Sequence, residues 1–121
     1  MTVRAVFRNV KETRSVPEGE TIFADGDEGE HMFGVIEGTV ELRKDEKVVA
    51  TLGPEDVFGE MALIDKSPRS LTALATSPTE LAVIDRRMFL FLIHETPTFA
   101  LEVMASLANL LRAYDEKLGS R

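Results

Sequence analysis

The sequence predicts an α+β protein that is mainly β: short strands forming a sandwich, jelly roll or small barrel, opened by a short helix and closed by two more. Three observations lead there. Between Arg14 and Asp85, apolar runs of three to six residues are cut at short intervals by turn residues, the texture of a compact β domain. After Pro97 the chain runs to about Leu118 without a glycine or proline. A hydrophobic content of 44% beside 29% charged residues in 121 supports one packed domain and argues against disorder.

Taken in order, residues 2–13 set Val3, Val6, Phe7 and Val10 at helical spacing among Arg4, Arg8 and Lys11, which predicts a short amphipathic helix. The strands follow as Thr21-Ile22-Phe23, Met32 to Ile36, Thr39 to Leu42 and Val48 to Leu52. They are rich in β-branched and aromatic residues. Their punctuation is Pro17-Glu18-Gly19, Asp25-Gly26-Asp27, Glu37-Gly38, Lys44-Asp45-Glu46 and Gly53-Pro54. One segment breaks the pattern: Gly59 to Ile64 lies between strands but reads as a helical turn, and a strand from Ser70 to Ala75 follows. Met88 to Ile93 predict a short apolar helix, with Thr96 as N-cap and Pro97 as first residue of the next. Along that last helix Ala100, Met104, Leu107, Leu111, Tyr114 and Leu118 step by 4, 3, 4, 3 and 4, a heptad-like stripe suited to a homodimer seam.

Composition narrows the function. Fourteen basic and twenty-one acidic residues leave a net charge of −7, which opposes sequence-independent nucleic-acid binding and anionic membranes. The absence of cysteine removes disulfides, thiolate metal sites and Cys nucleophiles. No leader pattern and no membrane-length apolar run stand in the sequence, so a cytoplasmic protein is expected. His31 and His94 are the two histidines, too far apart for a metal barrel's paired ligands. The six carboxylates from Glu18 to Glu30 fail the spacing of a calcium loop. No metal, cofactor or enzymatic activity is therefore expected.

The remaining chemistry gathers at the anomalous turn. Gly59 before a short helix lets backbone amides face an anion. Arg69, nine residues after Glu60, supplies a bidentate partner for a phosphate. Glu60 suits a sugar hydroxyl. With a β wall for a base, the three describe a nucleotide clamp.

Phe58-Gly59-Glu60-Met61-Ala62-Leu63-Ile64, then Ser67-Pro68-Arg69-Ser70-Leu71-Thr72-Ala73, resembles the phosphate-binding cassette of cyclic nucleotide-binding domains. The resemblance extends from Arg14 to about Leu118. It implies a jelly-roll β-barrel over 14–85, with Gly59 to Ile64 as the cassette helix and 86–118 as a helical lid and dimer region, all in one domain over 1–121. It implies that Glu60 holds the ribose 2′-hydroxyl, that Arg69 pairs with the cyclic phosphate, and that the amides of Gly59, Glu60, Met61, Ala62 and Ser70 complete the cradle behind Phe58. Leu42 and Val49 become the base wall, with Leu111, Tyr114 and Asp115 of the lid closing over the base. Ser70 is compatible with either base. Leu71 departs from the family's usual alanine and, on a strand, is expected to face away from Ser70.

Plainer readings stand beside these. Arg69 and Glu60 can form a structural ion pair, Tyr114 can be packing, and the stripe can be intramolecular core. The sequence reading is a sensor of cAMP, ahead of cGMP, acting on an effector in trans; the chain ends without the helix-turn-helix, kinase or channel such sensors usually carry. The alternative is an interaction or dimerisation module with a degenerate pocket.

Overall fold

A computed structural model describes residues 3–116. Two antiparallel four-stranded sheets face each other as a jelly-roll sandwich. One is ordered β1 (Thr13–Val16), β8 (Thr79–Asp85), β3 (His31–Glu37), β6 (Val57–Phe58). The other runs β2 (Thr21–Phe23), β7 (Thr72–Ala75), β4 (Val40–Lys44), β5 (Lys47–Leu52). The predicted strands are present, and the sheets do not close into a barrel.

Helices α1 (Val3–Phe7), α2 (Met61–Ile64), α3 (Arg86–Glu95) and α4 (Thr98–Tyr114) complete the chain. The first is shorter than predicted. Asn9 and Val10 donate to Val6 and Phe7 at 3.1 and 3.0 Å, tight i→i−3 bonds that end the helix. From Thr13 the backbone is taken by pairing with β8. Thr96 also differs from expectation. Its N–H donates to Leu92 O at 2.8 Å and ends α3, and α4 starts without a side-chain cap.

Two cores explain which strand residues are apolar. Phe33, Val35, Leu81 and Val83 point between the sheets, where they meet Val40, Leu42, Val49 and Phe58. Their neighbours Met32, Ala82 and Ile84 point the other way, under Phe7 of α1, Leu92 of α3, and Phe99 and Val103 of α4. Alternation along β3 and β8 thus feeds both faces, because helices cover the outer one. Gly34 sits where a Cβ would enter the Phe7 ring, so the glycine admits α1 onto β3. This second core seats α4 across β5 and β6, beside the turn that contains Glu60.

Candidate functional site

The site is built where β6 ends. Gly59 has φ +80, a backbone state that glycine enters without steric cost, and it turns the chain from β6 into α2. Leu63 and Ile64 donate to Glu60 O at 3.0 and 3.2 Å. Ala62 donates to Gly59 O at 3.4 Å, and the amides before it precede the first bonds of this turn.

Glu60 and Arg69 are both buried, at 2% and 8% exposure. They do not form the structural ion pair considered above: among the described residues the ion pairs are Arg14–Glu20, Arg43–Glu41 and Lys44–Asp25. Arg69 instead donates through Nη1 to Gly59 O at 2.9 Å and through Nη2 to His31 O at 2.7 Å. Its guanidinium carbon lies 4.1 Å from the centre of the Phe23 ring, a cation–π distance. Phe23 rests in turn on Phe33 and Phe58, at centroid separations of 6.1 and 6.0 Å. Phe58 therefore acts from below, as part of the seat.

Among the described residues two buried polar side-chain atoms are left over: Glu60 Oε1 and Arg69 Nε have no hydrogen-bond partner. Burial pushes the Glu60 carboxyl up from an ordinary 4.5 to about 7, against the opposing pull of its own backbone, the Ser106 hydroxyl and the Arg69 charge. Burial draws the Arg69 guanidinium below its ordinary value, opposed by the charges of Asp27 and Glu60. An unpaired buried carboxyl and an unpaired buried N–H cost free energy. A ligand with a hydroxyl donor and an anionic acceptor satisfies both.

Two cavities meet at Glu60. The larger, about 440 Å³, lies between β5, β6 and α4, with Leu42, Val49, Ser106, Asn109 and Leu110 in its lining. The smaller, about 40 Å³, is bounded by Gly59, Met61, Ala62, Arg69, Ser70 and Leu107. That volume suits a water or two and is too small for a sugar phosphate while Leu107 and Leu110 of α4 border it.

Leu42 and Val49, the expected base wall, both line the larger cavity. Leu111 does not: it is 68% exposed, and Leu110 lines both cavities. Tyr114 is half-buried against the inter-sheet core, together with Leu110 and Ala113. Asp115 is exposed at the end of α4, and Leu118 lies outside the described residues. Leu71 is 5% exposed and packs in the inter-sheet core while Ser70 is exposed, the opposite facing expected of neighbours on a strand; both residues border the small cavity.

The cyclic nucleotide-binding domain family matches residues 13–96. The chain belongs to this family. Among relatives, it is 39% identical over 110 residues to a cyclic AMP receptor protein of Thermus thermophilus, covering 87% of this chain and 51% of that protein. It is 41% identical over 81 residues to a cAMP-dependent protein kinase regulatory subunit of Eremothecium gossypii, covering 67% of this chain and 18% of that one. The crystal structure of the Thermus thermophilus catabolite activator protein superimposes with a TM-score of 0.77 at 36% identity, over 93% of this chain and 55% of that one. The cyclic nucleotide-binding chain thus spans about half the length of its bacterial relative and less than a fifth of the kinase subunit.

Sequence reasoning missed several contributors to this cyclic nucleotide-binding domain. Phe23 and the His31 carbonyl hold Arg69, while Ser106, Leu107 and Leu110 bring α4 to the site. A backbone carbonyl leaves no trace in a sequence. The α4 residues were hidden by the phase of the helix, which two apolar stripes obscure.

Proposed function

We propose that this domain binds a 3′,5′-cyclic nucleotide, cAMP ahead of cGMP, as a sensor and without turnover. The observation that carries the reading is the pair of orphaned buried atoms, Glu60 Oε1 and Arg69 Nε, on two residues that both line the small cavity, with Glu60 also lining the larger one. Glu60 accepts the ribose hydroxyl. Arg69 and the amides from Gly59 to Ala62 and of Ser70 receive the phosphate, and the base enters the larger cavity against Leu42 and Val49. The preference for cAMP is supported by the two relatives named for it.

The small cavity makes α4 the lid. Leu107 and Leu110 leave no room for the phosphate, so α4 withdraws or tilts on binding and brings Tyr114 and Asp115 to a new position. The bound population is set by the ligand's differential affinity for the two arrangements. The exposed side chains of Leu101, Met104 and Leu111 form the face for a homodimer or an effector in trans. No described helix is long and apolar enough to cross a membrane; a cytoplasmic location and one sensor domain over 1–121 are part of this proposal.

Calorimetry with cAMP and cGMP tests the proposal, with Arg69→Ala as control. Micromolar or tighter binding that the substitution weakens is the expected result. The closed small cavity with Leu71 in its wall favours a second reading, a pocket retained only for assembly. Failure of both nucleotides to bind would establish that reading and overturn the first.

A further inference from the structure

Arg69 is held by a turn that the nucleotide reading leaves unassigned. The segment between β2 and β3 grips the backbone on both sides of this residue: Arg69 N–H donates to Asp27 O at 2.7 Å, and Gly26 N–H donates to Arg69 O at 2.7 Å. Asp27 Oδ2 accepts from Ala24 N–H at 2.9 Å and Thr72 Oγ1 from Asp25 N–H at 3.0 Å, so turn and cassette are stitched together. The side chain then lies over Gly29. A Cβ at position 29 would stand 2.5 Å from Arg69 Nη2 and 2.6 Å from Cζ and Nε. No real side chain tolerates such contacts.

Two features matter at Gly29. Its backbone is ordinary, unlike that of Gly19, Gly26, Gly38 and Gly59. The atoms a Cβ there would strike belong to the Arg69 guanidinium, the movable end of one side chain. Alanine at position 29 therefore costs the backbone little and pushes one group, the guanidinium, off its seat.

We propose that Gly29 is a positioning residue for phosphate recognition: its missing side chain is the space in which the Arg69 guanidinium lies flat on Phe23 with Nε–H aimed at the ligand's phosphate. The inference rests on the nucleotide-binding reading for its ligand, but not for its geometry. Filling position 29 breaks the bonds to Gly59 O and His31 O together, since both depend on the same plane. The turn thereby governs affinity for the anion without touching it.

The test has a ligand-free and a ligand-bound arm. In the free protein, the Arg69 Nε–H proton is read by NMR and assigned by its loss in Arg69→Ala. It carries the ring-current shift of Phe23, and Gly29→Ala returns it toward an ordinary arginine value. With cAMP as the probe, Gly29→Ala weakens binding by about tenfold or more, the scale of one lost charge-assisted hydrogen bond. The same change in an Arg69→Ala background alters nothing further. Gly53→Ala, where a Cβ meets nothing and φ is ordinary, serves as the neutral control. An unmoved Nε–H resonance in Gly29→Ala overturns the inference, as does an equal loss of affinity in both backgrounds. If Gly29→Ala does not fold, Arg69→Ala must restore folding by removing the clash; if the double variant also fails, the inference is wrong. If Arg69→Ala binds cAMP as the wild type does, the nucleotide reading fails while the NMR arm still judges Gly29.

Discussion

Replacing Glu60 by glutamine should stabilise the free domain, and more so as pH rises. Its carboxyl is 2% exposed, has one oxygen without a partner, and titrates near 7 in the fold instead of 4.5. The folded state therefore holds a proton that the unfolded chain releases, so stability falls with pH between those values and is flat above them. Each unit of displacement is worth about 1.4 kcal/mol, which puts the cost of Glu60 below about 1 kcal/mol at pH 5 and at about 3 kcal/mol at pH 8. Glutamine has no proton to lose and carries no such slope. Urea unfolding of both proteins at pH 5 and pH 8 measures it, the gap in favour of Glu60→Gln widening by roughly 2–3 kcal/mol at the higher pH. The difference between the two proteins cancels the exposed carboxylates common to both. An unchanged gap at the two pH values would mean that Glu60 is already ionised in the fold, and the reasoning from burial would be refuted.

The same proton couples to the ligand. A ribose hydroxyl donates more strongly to an ionised carboxylate than to the carbonyl oxygen of a protonated carboxyl, so binding near pH 7 releases part of a proton and affinity falls as pH drops below 7; calorimetry in buffers of different ionisation enthalpy reads both. Gly34→Ala drives Phe7 off β3 and lowers stability by about 1–3 kcal/mol, seen as an earlier urea midpoint and loss of protection at Val6 and Phe7. Met104→Glu with Leu111→Glu, at 59% and 68% exposure, leaves folding intact and reduces the mass seen by light scattering from twice 13.4 kDa to one chain mass; a wild-type monomer would remove the dimer from the proposal.

How much was legible depends on how local the signal is. The turn at Gly59, the helical run to Ile64 and the return of Arg69 were readable because each is fixed by neighbours within a dozen residues. So were the strands, whose alternation and turn residues act over the same range. The facing of α4 was not. Phe99, Val103, Leu107, Leu110 and Tyr114 form an inward stripe, while Leu101, Met104 and Leu111 form an outward one. The heptad stripe read from the sequence took Leu107 and Tyr114 from the first and Met104 and Leu111 from the second. A helix apolar on two faces has no single phase for periodicity to find; only its seating on β5 and β6 chooses one. Gly29 carried no signal, because its role needs no unusual backbone angle and its partner lies forty positions away.

The net charge of −7 acquires a local meaning from this geometry. An open basic surface would attract any polyanion; here Arg69 is 8% exposed and stitched to an acidic turn through Asp27 and Gly26. Nη1 and Nη2 are engaged by carbonyls, which hold the guanidinium without neutralising it. The site therefore offers one buried positive charge, surrounded by amides and by a carboxyl that prefers its proton. A singly charged phosphodiester matches that offer. A phosphomonoester brings a second charge at neutral pH into a low-dielectric pocket with nothing left to balance it. Ionising Glu60 for the ribose adds a negative charge beside the phosphate, which Arg69 must hold between them. On the proposed reading, the enclosure that orphans Nε and Oε1 in the free protein also restricts the ligand, favouring one that carries a single negative charge and a hydroxyl.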